Sequence, residues 1–210
     1  MQKLAEDKQR VQGRLIVELE GKLIGSITGQ PQPLDPNSLP RYIVFYRGSS
    51  TCAITRKFTP ALVKFYKEMK PAHPEFEVIY LMTEPVAETG KFAKAQGFSW
   101  RAVEYRSTPS MPMTHASISG LLPQLIVMDR TGKVLANGTQ NAAPAALQRL
   151  NALLQRMHEK DSGVCGRATF RTAFFKQNSH DTQRYRTPSR ARTRSGFPSG
   201  PSAHRWSGPY

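Results

Sequence analysis

Cys52 and Thr55 stand three residues apart, with Arg56 directly after, in the segment Thr51-Cys52-Ala53-Ile54-Thr55-Arg56. A cysteine does chemistry as its thiolate, and a free thiol with a pKa of about 8.5 is only a few per cent ionised at neutral pH. Each unit of depression is worth about 1.36 kcal/mol in favour of the anion, so modest help changes reactivity a great deal. A helix beginning near Cys52 supplies such help, because the unpaired N–H groups and the dipole at a helix N-terminus favour an anion. The hydroxyl and N–H of Thr55 then point back at the sulfur, although a threonine at a helix start also fits plain capping. Arg56 either adds positive charge nearby or extends into solvent. The other cysteine of the chain, Cys165, lies far downstream, and two cysteines exclude a disulfide scaffold and a Cys-rich zinc site. His73, His115 and His158 fall in different segments without ligand spacing. They read as surface residues, and no metal or other cofactor is expected.

The elements that must position Cys52 are legible on both sides of it. Tyr42-Ile43-Val44-Phe45-Tyr46 is a continuous apolar, β-branched and aromatic run that ends at Gly48 and Ser49, as a buried central strand does. Phe58, Leu62, Phe65 and Met69 then recur at helical spacing as far as Lys70-Pro71, with Pro60 early in the helix. Phe76 to Met82 reads as a second buried strand, and Glu88 to Gln96 as a short helix closed by Gly97. Leu125 to Met128, the turn Asp129-Arg130-Thr131-Gly132, and Lys133 to Ala136 read as a hairpin. Leu147, Leu150, Leu154 and Met157 share one face of a last helix. Strand-like and helix-like segments thus alternate, the order of an α/β domain. Leu15-Ile16-Val17 and Leu23-Ile24 flank Glu20-Gly21 in the manner of a small hairpin, followed by the Pro-rich linker QPQPLDP. The resulting division is an N-terminal β extension over 1–40, a principal domain over 41–158 and a tail over 159–210.

The segment from Thr51 to Pro60 resembles the W-C-x-x-C-R-x-F-T-P stretch of the tryparedoxin and nucleoredoxin-like (redoxin) branch of thioredoxin-fold proteins. Ala61 to Tyr66 is similar to the family's active-site helix, Phe76 to Tyr80 to its next strand, and Ser99-Trp100 with Ala102-Val103 to its Trp-containing segment. Gly120 to Asp129, followed by Gly132-Lys133-Val134-Leu135, is similar to the block G-[IV]-P-x-L-[VI]-[VI]-x-D-x-x-G-K. The likeness covers roughly residues 15–157. C-x-x-T alone has little specificity; the weight lies in R-x-F-T-P directly after it and in the Pro-led strand that follows Cys52 by 71 residues.

The resemblance implies a thioredoxin-like three-layer sandwich with a central mixed sheet, and a thiol-disulfide oxidoreductase activity. It implies that Cys52 is the nucleophile, that Pro123 is cis and lies against the sulfur, and that Thr51, Arg56, Trp100 and Leu122 border the substrate. A core position for Trp100 is equally open. The departures bear most on function. Thr55 stands where the family has its resolving cysteine, Thr51 where it has tryptophan, and Ile54 where it has proline. A dithiol enzyme attacks a disulfide with one sulfur and expels it with the other; this chain has the residues for the first step alone. The mixed disulfide then waits for glutathione or another small thiol, a thioredoxin-type protein, a partner cysteine, or Cys165. The alternative is a redox-inactive module that keeps the groove and recognises an extended peptide beside Pro123.

The 210 residues carry 30 Lys and Arg against 15 Asp and Glu, a net charge of +15. From Cys165 onward there is no Val, Ile, Leu or Met, so this segment cannot bury enough aliphatic surface to offset an ordering cost of about 1–2 kcal/mol per residue. It reads as a disordered tail. Nine basic residues against Asp161 and Asp181 give 161–210 a charge of +7. Arg184-Tyr185-Arg186 and Arg205-Trp206 offer phosphate pairing with base stacking, a route to non-specific nucleic-acid contact. A solvated tail or a shifted reading frame accounts for the same composition. The longest apolar stretch, Leu121 to Met128, is short and broken by Pro123 and Gln124, so no membrane span is expected. The charged start lacks an apolar signal region, which makes the cytoplasm the default expectation, and the periplasm or a secreted location if the true start lies upstream.

Overall fold

A computed structural model of the chain describes residues 13–161. Cys165, His158 and the basic tail lie outside the described residues or side chains. The elements run α1 (Arg14–Leu19), β1 (Ile24–Gly25), β2 (Tyr42–Arg47), α2 (Ala53–Met69), β3 (Phe76–Leu81), α3 (Val86–Gln96), β4 (Arg101–Val103), α4 (Pro112–His115), β5 (Gln124–Asp129), β6 (Val134–Thr139) and α5 (Ala143–Asp161). They build one six-stranded sheet in the order β1-β4-β3-β2-β5-β6. β2, β3 and β4 are parallel, while β1, β5 and β6 join antiparallel, so the sheet is mixed. With helices packed on both faces it is the thioredoxin-like sandwich that the motifs imply.

Strand alternation sorts the side chains into two cores. Tyr42, Val44 and Tyr46 of β2, Phe76, Val78 and Tyr80 of β3, and Leu125 and Val127 of β5 meet Phe58 and Leu62 of α2, Phe92 of α3, and Leu147, Leu150 and Leu154 of α5. Ile43, Phe45, Ile79, Leu81, Ile126 and Met128 point the other way, onto Leu15 and Leu19 of α1 and onto Met111. β2 is central, paired along its whole length with β3 on one side and β5 on the other. Its unbroken apolar run follows from burial on both faces. Gly97 closes α3 in the left-handed region at φ 74°, its N–H bonding back to the carbonyls of Ala93 and Lys94.

The N-terminal segment differs from the expected hairpin. Residues Arg14–Leu19 are helical, and Ile24–Gly25 pairs instead with the edge of β4, Ile24 opposite Ala102. The reason is spacing. Leu15, Ile16 and Leu19 bury one helical face, whereas alternation would have put Leu15, Val17 and Leu19 together. Glu18, on the same turn, is buried and accepts hydrogen bonds from the N–H groups of Met113 and Thr114 and from the Thr114 hydroxyl, at 2.9–3.1 Å. The carboxylate thereby occupies the N-terminal end of α4 and ties α1 to the segment leading into Pro123. Glu18→Ala, which leaves those donors unpaired, is expected to lower unfolding free energy by about 1–3 kcal/mol, read from urea denaturation midpoints.

His73 is a second correction. It is buried rather than a surface residue, and its Nδ1 lies 2.9 Å from the Glu75 carboxylate. Its place after α2, where the chain folds back towards β3, encloses it. His115 is exposed, and among the described residues no group of His, Cys, Asp and Glu could hold a metal ion. No described helix is long and apolar enough to cross a membrane.

Candidate active site at the end of the central strand

Every element around Cys52 is fixed from the core outward. β2 delivers the chain to Gly48, and the loop Ser49-Ser50-Thr51 turns it into α2. Cys52 occupies the N-cap position with extended backbone (φ −79°, ψ 118°), and its carbonyl accepts the first helical bond, from the Arg56 N–H at 3.0 Å. The first turn of α2 contains no Asp or Glu to compensate the positive end of the helix dipole. Arg56 is held over the same loop, donating to the Ser50 carbonyl at 2.8 Å.

These groups lower the Cys52 pKa from its ordinary value. The Thr55 hydroxyl hydrogen bond is the largest cause; the N–H groups of Thr55 and Ile54 and the charge of Arg56 act in the same direction, and partial burial opposes them. Thr55 itself is fully buried, so its hydroxyl has little freedom to turn away. It fits only because residue 48 is glycine: a Cβ there would fall 2.6 Å from Thr55 Cγ2 and 3.1 Å from the Tyr46 hydroxyl. Thr55 is thus a buried first-turn residue of α2 whose hydroxyl acts on the thiol.

On the opposite side of the sulfur lies the turn before β5. The Leu122–Pro123 peptide is cis, and Cys52 Sγ stands 3.8 Å from the Leu122 carbonyl oxygen, which it can approach as a thiol donor. The structure therefore gathers Cys52, Thr55, Leu122 and Pro123 from segments far apart in sequence. Pro123 is buried, and its carbonyl accepts from the Gln140 N–H at 2.7 Å. Ile54, in the first turn of α2, and Leu121, in the turn before β5, are 37% and 50% exposed, so an apolar side chain is presented to solvent close in sequence to each of the two groups that meet, Cys52 and Leu122. Thr51 is exposed and shares a 2.9 Å hydroxyl contact with Ser49.

Trp100 does not join them. It is 5% exposed and stacks on Phe98 at 4.3 Å between centroids, with Tyr46 and Tyr66 meeting it edge-on. Its position just before β4 turns the ring into the core that α2 covers. The aromatic cluster bears on the site indirectly, through Tyr46. That hydroxyl lies 2.7 Å from Thr59 Oγ1, and burial pushes its pKa up, with the Cys52 charge adding to the effect. Tyr46 is consequently a neutral group within electrostatic reach of the thiol.

Glu84 is the site residue that motif reading misses. Its Oε1 accepts from the Ser49 hydroxyl (2.6 Å), the Ser50 N–H (2.9 Å) and the Ser50 hydroxyl (2.9 Å). Its Oε2 is buried with no hydrogen-bond partner. The available signal was its position: Thr83-Glu84-Pro85 follows β3, at the carboxyl end of a strand parallel to β2, where α/β sheets hold their ligands. Thr83 and Tyr80 complete the tether by donating to the Gly48 carbonyl at 2.6 and 2.7 Å. Glu84→Ala is expected to slow Cys52 alkylation at neutral pH about two- to fivefold by freeing this loop, whereas Glu84→Gln retains the acceptor and stays near the wild-type rate.

No protein-family model matches the chain, and no curated protein matches it in sequence. Solved structures do resemble it. Native tryparedoxin I from Crithidia fasciculata is 23% identical, over 70% of this chain and 94% of that one, with a TM-score of 0.46. Thioredoxin from Wuchereria bancrofti is 22% identical, over 64% of this chain and 94% of that one, with a TM-score of 0.47. Peroxidoxin BcpB from Mycobacterium tuberculosis is 18% identical, over 65% of this chain and 92% of that one, with a TM-score of 0.49.

Proposed function

We propose that the chain is a thiol-disulfide oxidoreductase of the redoxin type working with one thiol. The observation that carries this reading is the placement of Cys52 at the start of α2, its pKa lowered by Thr55 and its sulfur within 3.8 Å of the carbonyl before Pro123. In the first step the Cys52 thiolate attacks one sulfur of a substrate disulfide; a new S–S bond forms to Cys52 and the second substrate sulfur leaves as a thiolate. Thr55 and the helix N–H groups hold the negative charge on Cys52 before attack. Since Thr55 has no sulfur, the mixed disulfide is resolved by a second thiolate from outside, which takes the substrate half and returns Cys52 to its starting form. Glutathione-class thiols and a thioredoxin-type protein are the proposed donors. Ile54 and Leu121 offer apolar contact to either half of the substrate.

The test is a stoichiometric reaction of the full chain with 2-hydroxyethyl disulfide followed by intact-mass and peptide analysis. A single adduct on Cys52 should persist once the released 2-mercaptoethanol has been removed, and disappear on adding glutathione. Labelling confined to Cys165, or none at all, would contradict the reading.

A further inference from the structure

Arg47, the last residue of β2, carries a half-buried guanidinium with no ion pair among the described residues. Burial works against its charge and lowers its pKa from the ordinary value; Tyr80 acts in the other direction, and no carboxylate does. A partly buried cation without a carboxylate partner gives up hydration that an anionic ligand would replace. One nitrogen donates to the Ser119 carbonyl. The other donors of the fork remain for a ligand.

The side chain faces a cleft of about 240 Å³ that Thr83, Tyr105, Thr108, His115 and Ile118 also line. This cleft opens at the same end of the sheet as Cys52. Arg47 is opposite Gln124 in the β2–β5 register, one residue from Pro123. The guanidinium and the sulfur contact one short turn, at the carbonyls of Ser119 and Leu122 respectively. Three residues of chain reach at most about 11 Å, so the two carbonyls that the guanidinium and the sulfur contact lie no further apart than that.

We propose that this cleft is a carboxylate subsite, in which Arg47 receives an acid group carried by the thiol compound that exchanges with Cys52. The assignment of the ligand as a thiol or disulfide rests on the function proposed above; the assignment of its acid group rests on Arg47. A planar carboxylate matches the guanidinium fork and can accept two N–H bonds from it. His115, which also lines the cleft, can supply a further polar contact at its wall. A neutral thiol of the same length leaves the cation unpaired and binds less well.

The test compares exchange at Cys52 of the full chain with two disulfides, that of 6-mercaptohexanoic acid and that of its amide. In each, Cys52 forms a bond to one sulfur and the other leaves as the free thiolate. The acid should react about tenfold faster than the amide, the size of one charge-assisted contact. Arg47→Gln should remove that preference, the acid and the amide then reacting at equal rates in the variant, and Arg47→Lys should keep part of it. Equal rates in the wild type, or a preference that survives Arg47→Gln, would overturn the subsite and leave the exchange chemistry standing. If neither disulfide reacts, the exchange reading fails by itself. The subsite is then decided by amide NMR shifts in Cys52→Ser titrated with hexanoate. Shifts at Ser119 and His115 that hexanamide does not produce, and that Arg47→Gln abolishes, support it; their absence overturns it.

Discussion

Thr55→Cys is expected to raise turnover of a small disulfide about a hundredfold when the external thiol is held near 1 mM. The second sulfur would stand where the Thr55 hydroxyl now contacts Cys52. Attack on the mixed disulfide then becomes intramolecular, and neighbouring groups in fixed geometry react as though at concentrations far above any free thiol, here taken conservatively as about 0.1 M. Steric fit permits the exchange, because cysteine lacks the Cγ2 methyl that Thr55 turns towards Gly48 and so adds no bulk on that side. The measurement is steady-state reduction of 2-hydroxyethyl disulfide, with the adduct on Cys52 followed by mass. Adduct accumulation should vanish as turnover rises. A folded Thr55→Cys protein with unchanged turnover would mean that Cys52 does not form the adduct in the first place.

The second large effect concerns the thiolate itself. Thr55→Val keeps shape and burial but removes the hydroxyl that is the principal cause of the lowered Cys52 pKa. The sign follows from the protonation equilibrium. A thiol whose pKa rises is less ionised at any pH below that value, by tenfold for each unit. Alkylation by iodoacetamide at neutral pH should therefore slow by about tenfold for a one-unit rise, while the plateau rate at high pH stays the same or rises slightly with the more basic nucleophile. Thr55→Ser should remain close to the wild type. An equal loss at every pH would point to blocked access and would contradict the electrostatic role.

The distribution of what could be read from sequence has physical causes. β2, α2, β3 and β5 were legible because each buries a continuous or periodic apolar set, and Cys52 with Thr55 could be placed because a strand, a short loop and a helix follow in order. Pro123 came from motif resemblance alone, since no local pattern says which distant segment meets the sulfur. α1 was misread because Leu15, Ile16, Val17 and Leu19 suit either period, and only contact with Ile43, Phe45 and Met111 selects the helical one. Trp100 was ambiguous for a similar reason: its neighbour in space, Phe98, decides the direction of the ring. Glu84 and Arg47 escaped because their roles consist of contacts to backbone groups of other loops, at Ser50 and Ser119, which leave no spacing signature.

The central claim is that Cys52 is electrostatically prepared to react. Its most direct test is the rate of iodoacetamide alkylation at Cys52 as a function of pH, with Cys165→Ser used to isolate the signal. The account predicts a single sigmoid whose midpoint lies clearly below the free-thiol value of about 8.5 and moves upward in Thr55→Val. A midpoint at or above the free-thiol value, with no response to Thr55→Val, would contradict it.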